Sequence, residues 1–167
     1  MNDPRTPAAK AWGITYTPAE VEFGQRVWRC IYVDGPEEWG GRVSTFLDVL
    51  DHAGNRIGGL RVRWFNGGNS FKSTEPKAGE PFSVDFPMFA MGNSYGLQIA
   101  DGQPSDTVFG FGLGNRVPHH VFKAIFKLDR GGIPVEPPDK PEPPDNVELD
   151  EALDQIQHWL DIAKGLA

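Results

Sequence analysis

The chain has 167 residues, 39% of them hydrophobic and 11% aromatic, which is enough for one buried core and one folded domain. Its formal charge of −7 without a basic stripe excludes a nucleic-acid partner, because neutralising phosphates needs Lys and Arg clustered on one face. No apolar run approaches the roughly 18 residues of a membrane span, and Cys30 is the only cysteine, which excludes an intramolecular disulfide.

Twenty Gly and 15 Pro suit a turn-rich all-β protein better than a helical one. Residues 1–25 read as an N-terminal arm anchored by Trp12 and Tyr16, packing on the body or reaching a neighbour. The start, Met1 to Pro7, is followed by no apolar stretch, so no signal peptide is expected. The expectation is a soluble protein, associated with a virion or released by lysis, and otherwise cytoplasmic.

From Arg26 the pattern has period two, the mark of half-buried strands. A first strand over 26–33 is stopped by Asp34-Gly35-Pro36, and a second covers 42–50. The turn Asp51-His52-Ala53-Gly54-Asn55 makes a hairpin with 57–65, where Leu60, Val62 and Trp64 face one way and Arg61, Arg63 and Phe65 the other. Asn66-Gly67-Gly68-Asn69 turns into a weak strand over 70–74. Phe82, Val84 and Phe86 alternate, then Tyr95, Leu97 and Ile99, then a strand over 108–113 and a last one over 119–128. Eight short strands predict an antiparallel β-sandwich of Greek-key or jelly-roll type over 26–130. Cys30 in Trp28-Arg29-Cys30-Ile31-Tyr32 reads as a buried, inert thiol, and the scattered arginines as solvated strand faces.

The charge is segregated. Residues 1–130 hold 14 acidic and 14 basic side chains, and the whole net charge of −7 falls on 131–167. There a Pro-rich acidic linker, 131–145, predicts a semi-rigid polyproline II spacer. An amphipathic C-terminal helix follows over 146–166, with Leu149, Ala152, Ile156, Trp159, Ala163 and Leu166 at intervals of three and four. Such a seam is marginal alone in water, so it implies a homo-oligomer or docking on a particle or partner protein.

Catalytic signals are weak. Gly110, Gly112 and Gly114 alternate as in a strand rather than a phosphate loop, and Ser105 lacks a nucleophile elbow. His119 and His120 are neighbours on a strand and point to opposite faces, so they do not ligate one metal together. The alternative pairs one of them with Asp101 or Asp106 in a metal-dependent enzyme; against it stands a structural role for all four. No cofactor and no metal are expected. The aromatics offer better chemistry: Trp39 in a loop, and Phe65 beside Asn66 and Asn69, match the stacking and amide bonding that hold a glycan. Against this stands a role in covering a sandwich end. Met88-Phe89-Ala90-Met91 reads as a loop plug or a subunit contact.

Three stretches occur together: Phe46-Leu47-Asp48-Val49-Leu50-Asp51 with Gly54 and Arg56, Pro104-Ser105-Asp106 with Val108, and His119-His120-Val121-Phe122 before Ile125-Phe126. This trio resembles the β-sandwich modules appended to phage tail and cell-wall-lysing proteins and to some bacterial surface enzymes. The resemblance covers 26–130 and implies a non-catalytic, carbohydrate-binding type of fold. The sequence therefore leads to a binding module for a glycan or cell-surface ligand, displayed or multimerised through its tail. The alternative is a structural or decoration protein of a phage-like virion.

Overall fold

A computed structural model describes residues 3–38, 41–66, 68–76, 78–114 and 119–130. The described residues form nine strands, eight in the region of the alternating runs and one, β1, in the N-terminal arm: β1 Thr15–Thr17, β2 Arg26–Glu37, β3 Ser44–Leu50, β4 Arg61–Asn66, β5 Gly68–Ser73, β6 Val84–Pro87, β7 Tyr95–Ile99, β8 Thr107–Phe111 and β9 Val121–Arg130. They form one sheet in the order β1-β8-β7-β4-β5 and another in the order β2-β9-β3-β6. The inward positions of each strand are the apolar ones. Val62, Trp64, Leu97, Ile99 and Val108 face Trp28, Leu47, Val49, Phe86, Phe122 and Phe126 in a single buried cluster. Burying each such side chain contributes about 1.5–3 kcal/mol. The all-β, two-sheet architecture is the expected one.

Its wiring differs from the expectation in three places. The sandwich is not wholly antiparallel: β9 pairs β2 antiparallel but β3 parallel, in the register Ser44↔Val121 to Leu50↔Lys127. The reason is geometric. Successive strands β2 and β3 run in opposite directions, so a strand inserted between them must run parallel to one. Alternation encodes faces, not directions. Second, Asp34-Gly35-Pro36 does not stop β2; the strand continues to Glu37 through a register shift between Asp34 and Glu37. Gly35 takes φ +114° there, and the bulge absorbs what the proline interrupts.

Third, the 51–55 turn closes a hairpin of only a few residues. Asp51 N donates to Asn55 O and Ile57 N to Val49 O, with Leu50 bridged to Arg56. The chain then leaves for the other sheet, where β4 pairs β7 and β5 instead of β3. A smaller difference concerns Phe82, which precedes β6 and stacks on Phe46 with centroids 4.3 Å apart.

The N-terminal arm packs on its own body. Thr6 caps the helix α1, Pro7–Trp12, by accepting from Ala9 N, and Gly13 ends it at φ +98°. Ala9 and Ile14 are fully buried, the 4–6 segment bonds Val33, and β1 forms the edge of the five-stranded sheet beside β8. Beyond Phe111 the glycines permit close approach, as their alternation suggested: a Cβ on Gly112 would fall 1.6 Å from Gly92 O. The linker 131–145 and the helix 146–166 lie outside the described residues. Among the described residues no helix is long and apolar enough to cross a membrane.

Candidate ligand-binding face

The five-stranded sheet turns its outward residues onto one open face. Its ladders place Thr15, Phe109, Gly96, Phe65 and Asn69 in one row, each paired with the next. A second row holds Gln98, Arg63 and Phe71, and Arg61 pairs Ser73. Gly96 makes the centre of this face possible. A Cβ there would lie 2.5 Å from the Phe65 ring and 2.7 Å from that of Phe109. The two rings instead lean over the bare backbone, centroids 6.1 Å apart and planes within 22°.

Guanidinium groups lie against these rings. Arg63 Cζ is 4.8 Å from the Phe65 centroid, with Nε donating to Asn69 Oδ1 at 2.8 Å and Nη1 to Gln98 Oε1 at 3.0 Å. Arg61 Cζ sits 3.7 Å from the centre of Phe71. Each such contact contributes about 0.5–1 kcal/mol at an exposed site and, more usefully, holds a long side chain in one place. Phe71 is 41% exposed and Phe109 37%, so flat apolar surface is presented between fixed donors. Asn66 points the other way from Phe65. With Asn69, Trp64, Phe86, Phe89 and Tyr95 it lines a groove of about 420 Å³ where β5 borders β6.

The candidates from the sequence therefore divide. Phe65 and Asn69 are cross-strand partners, Asn66 lies round the edge, and Trp39 is outside the described residues, as are Leu149, Ala152, Ile156, Trp159, Ala163 and Leu166. Arg61, Phe71, Gln98 and Phe109 were not singled out. Alternation did place Arg61 and Arg63 with Phe65, but it cannot show that β5 and β8 deliver two more rings to the same face.

The other polar candidates have structural work. Asp106 is fully buried and its carboxylate accepts four hydrogen bonds, from Tyr16 Oη and Cys30 N on one oxygen and Ala19 N and Arg29 Nη1 on the other, all at 2.8–2.9 Å. Arg29 is consequently buried, against the reading of every arginine as solvated. Ser105 Oγ accepts from Ile99 N and donates to Asp106 O. Asp101 accepts from Trp28 Nε1, while His120 is buried with Nε2 2.8 Å from Gly112 O and packs edge-on against Trp12. His119 is exposed. Asp101, Asp106 and His120 thus have separate partners, and among the described residues no group of three or more His, Cys, Asp or Glu could hold a metal ion. Cys30 is buried, and burial pushes its thiol pKa up, disfavouring the reactive thiolate.

Fold and face together define an all-β sandwich carrying an aromatic, arginine-rich sheet surface. No known protein family, curated protein or solved structure matches the chain.

Proposed function

We propose that the protein is a non-catalytic β-sandwich module that binds a glycan or similar cell-surface ligand on the Phe65 face. The observation that carries the reading is the row Phe109-Gly96-Phe65-Asn69, flanked by Arg63 and Gln98. Sugar rings have apolar C–H faces and a rim of hydroxyls. Flat exposed rings meet the first, and amide and guanidinium groups meet the second. The pairing of strands holds these groups in place before a ligand arrives, which lowers the entropic cost of binding. The tail, through Leu149 to Leu166, would supply valency or attachment.

A glycan array probed with the full chain tests this. Binding should be lost in Phe65→Ala and Phe71→Ala, whose melting temperatures stay near that of the parent. Trp39→Ala reports separately whether the loop contributes. Retention of binding by both phenylalanine variants would remove the assignment to this face.

A second reading, a structural or decoration protein of a phage-like particle, is favoured by the loop after β6. Met88 is buried as a plug, but Phe89 is 81% and Met91 52% exposed, a pattern suited to a contact between subunits. Loss of particle incorporation on Phe89→Ser, with glycan binding unchanged, would favour it.

A further inference from the structure

We infer that the ligand of the Phe65 face is an acidic glycan, a sugar chain carrying carboxylate or sulfate oxygens that Arg61 and Arg63 recognise. This rests on the glycan reading above and adds the charge of the substrate to it.

The argument comes from what the cations of the body pair with. Arg5, Arg29 and Arg56 each hold a carboxylate at 2.8 Å, from Asp3, Asp106 and Asp48, and Lys123 holds Glu37 at 2.6 Å. Among the described residues Arg61 and Arg63 do not. There Arg63 is held by two neutral amide oxygens, and Arg61 has only the Phe71 ring beneath it. None of the outward strand positions on this face is acidic, although the first 130 residues contain as many acids as bases. Two full positive charges thus share one surface with no counter-charge among its strand positions.

The geometry also favours a particular kind of anion. A guanidinium held over a ring is fixed in place, and its planar fork of N–H donors can meet two oxygens of one anionic group. The neighbouring phenylalanine rings then take the apolar face of the sugar that carries it. A neutral sugar would satisfy the rings and leave both charges without a counter-charge.

The test uses the full chain and oligosaccharides of matched length in neutral, uronic-acid and sulfated forms, measured by calorimetry at low and high salt. The acidic forms should bind at least about tenfold tighter than the neutral one, the size of one charge-assisted hydrogen bond. That gap should shrink with salt, and in Arg61→Gln and Arg63→Gln it should fall toward equality. Arg61→Lys keeps the charge without the fork and should restore only part of it. The ratio between uronic and sulfated forms tells carboxylate from sulfate recognition. Equal binding of neutral and acidic forms would overturn this inference and leave the glycan reading standing. No binding by any form, with the fold intact by melting, would remove the glycan reading itself.

Discussion

Asp106 shows how much a single side chain can decide in this body. Its four hydrogen bonds tie the N-terminal segment at Tyr16 and Ala19 to β2 at Arg29 and Cys30. Replacing it by Ala would leave Arg29 buried without a counter-charge, so Asp106→Ala should cost about 3–5 kcal/mol, readable by urea unfolding. Asp34 makes a weaker link of the same kind. Partial burial pushes its carboxyl up, but hydrogen bonds from Thr6, Tyr32 and the Gly35 amide outweigh this and hold its pKa below the ordinary value. A depressed folded pKa means that stabilisation is complete above the unfolded value, about 3.9, and is lost as pH falls below it. Melting temperature should therefore drop more steeply below about pH 4 in the parent than in Asp34→Asn, which has no such proton to gain. The Pro-Ser-Asp turn leads to the expectation that Asp106 bonds nearby backbone amides; the amides it accepts from, those of Cys30 and Ala19, lie 76 and 87 positions away instead.

At the scale of elements, alternation carried most of the information and direction the least. Val84 and Phe86, Tyr95 and Leu97, Phe122, Ala124 and Phe126 all bury the faces their spacing indicates. Which strand lies beside which depends on contacts far apart in the chain, and a period of two is silent on that. The hairpin beyond Asp51 is the clearest instance. The turn is formed, but Gly58 and Gly59 carry the chain across to the other sheet before β4 begins. The proposed binding face was legible in its β4 share, Arg61, Arg63 and Phe65, and in Asn69 of β5. Its other half arrives through Gly96, whose lack of a side chain gives no signal until Phe65 and Phe109 are seen to fill the space. Gly96→Ala should cost about 1–3 kcal/mol by overpacking. In a Phe65→Ala background the penalty should fall but not disappear, because the Phe109 ring still lies 2.7 Å from the added methyl, a non-additivity that a double-mutant cycle on thermal unfolding would reveal.

For the whole molecule, the segregation of charge separates two tasks. Residues 3–130 close a core with β1 to β9, and the first 130 residues are electrically balanced. Removing 131–167 should thus bring the net charge to zero, leave melting of the body little changed and, if the tail assembles copies, reduce the mass in solution to one chain. Light scattering on both forms checks this, and a single-chain mass for the intact protein would end the proposed multimerisation. A neutral body is also less soluble near pH 7, so the truncated form should precipitate at lower concentration.

The insertion of β9 between β2 and β3 has an orientational consequence. Arg130 ends opposite Arg26, at the pole that also bears the 51–55 turn, and Trp28 ties this pole to Asp101 and Pro104. Strands β4 and β5 meet at Asn66 and Gly68, at the far pole, next to Phe65 and Phe89. The chain thus reaches Arg130 at the end of the sandwich remote from those aromatics. A molecule moored by that end would hold its aromatic tip outward, as a lamp is held by its base.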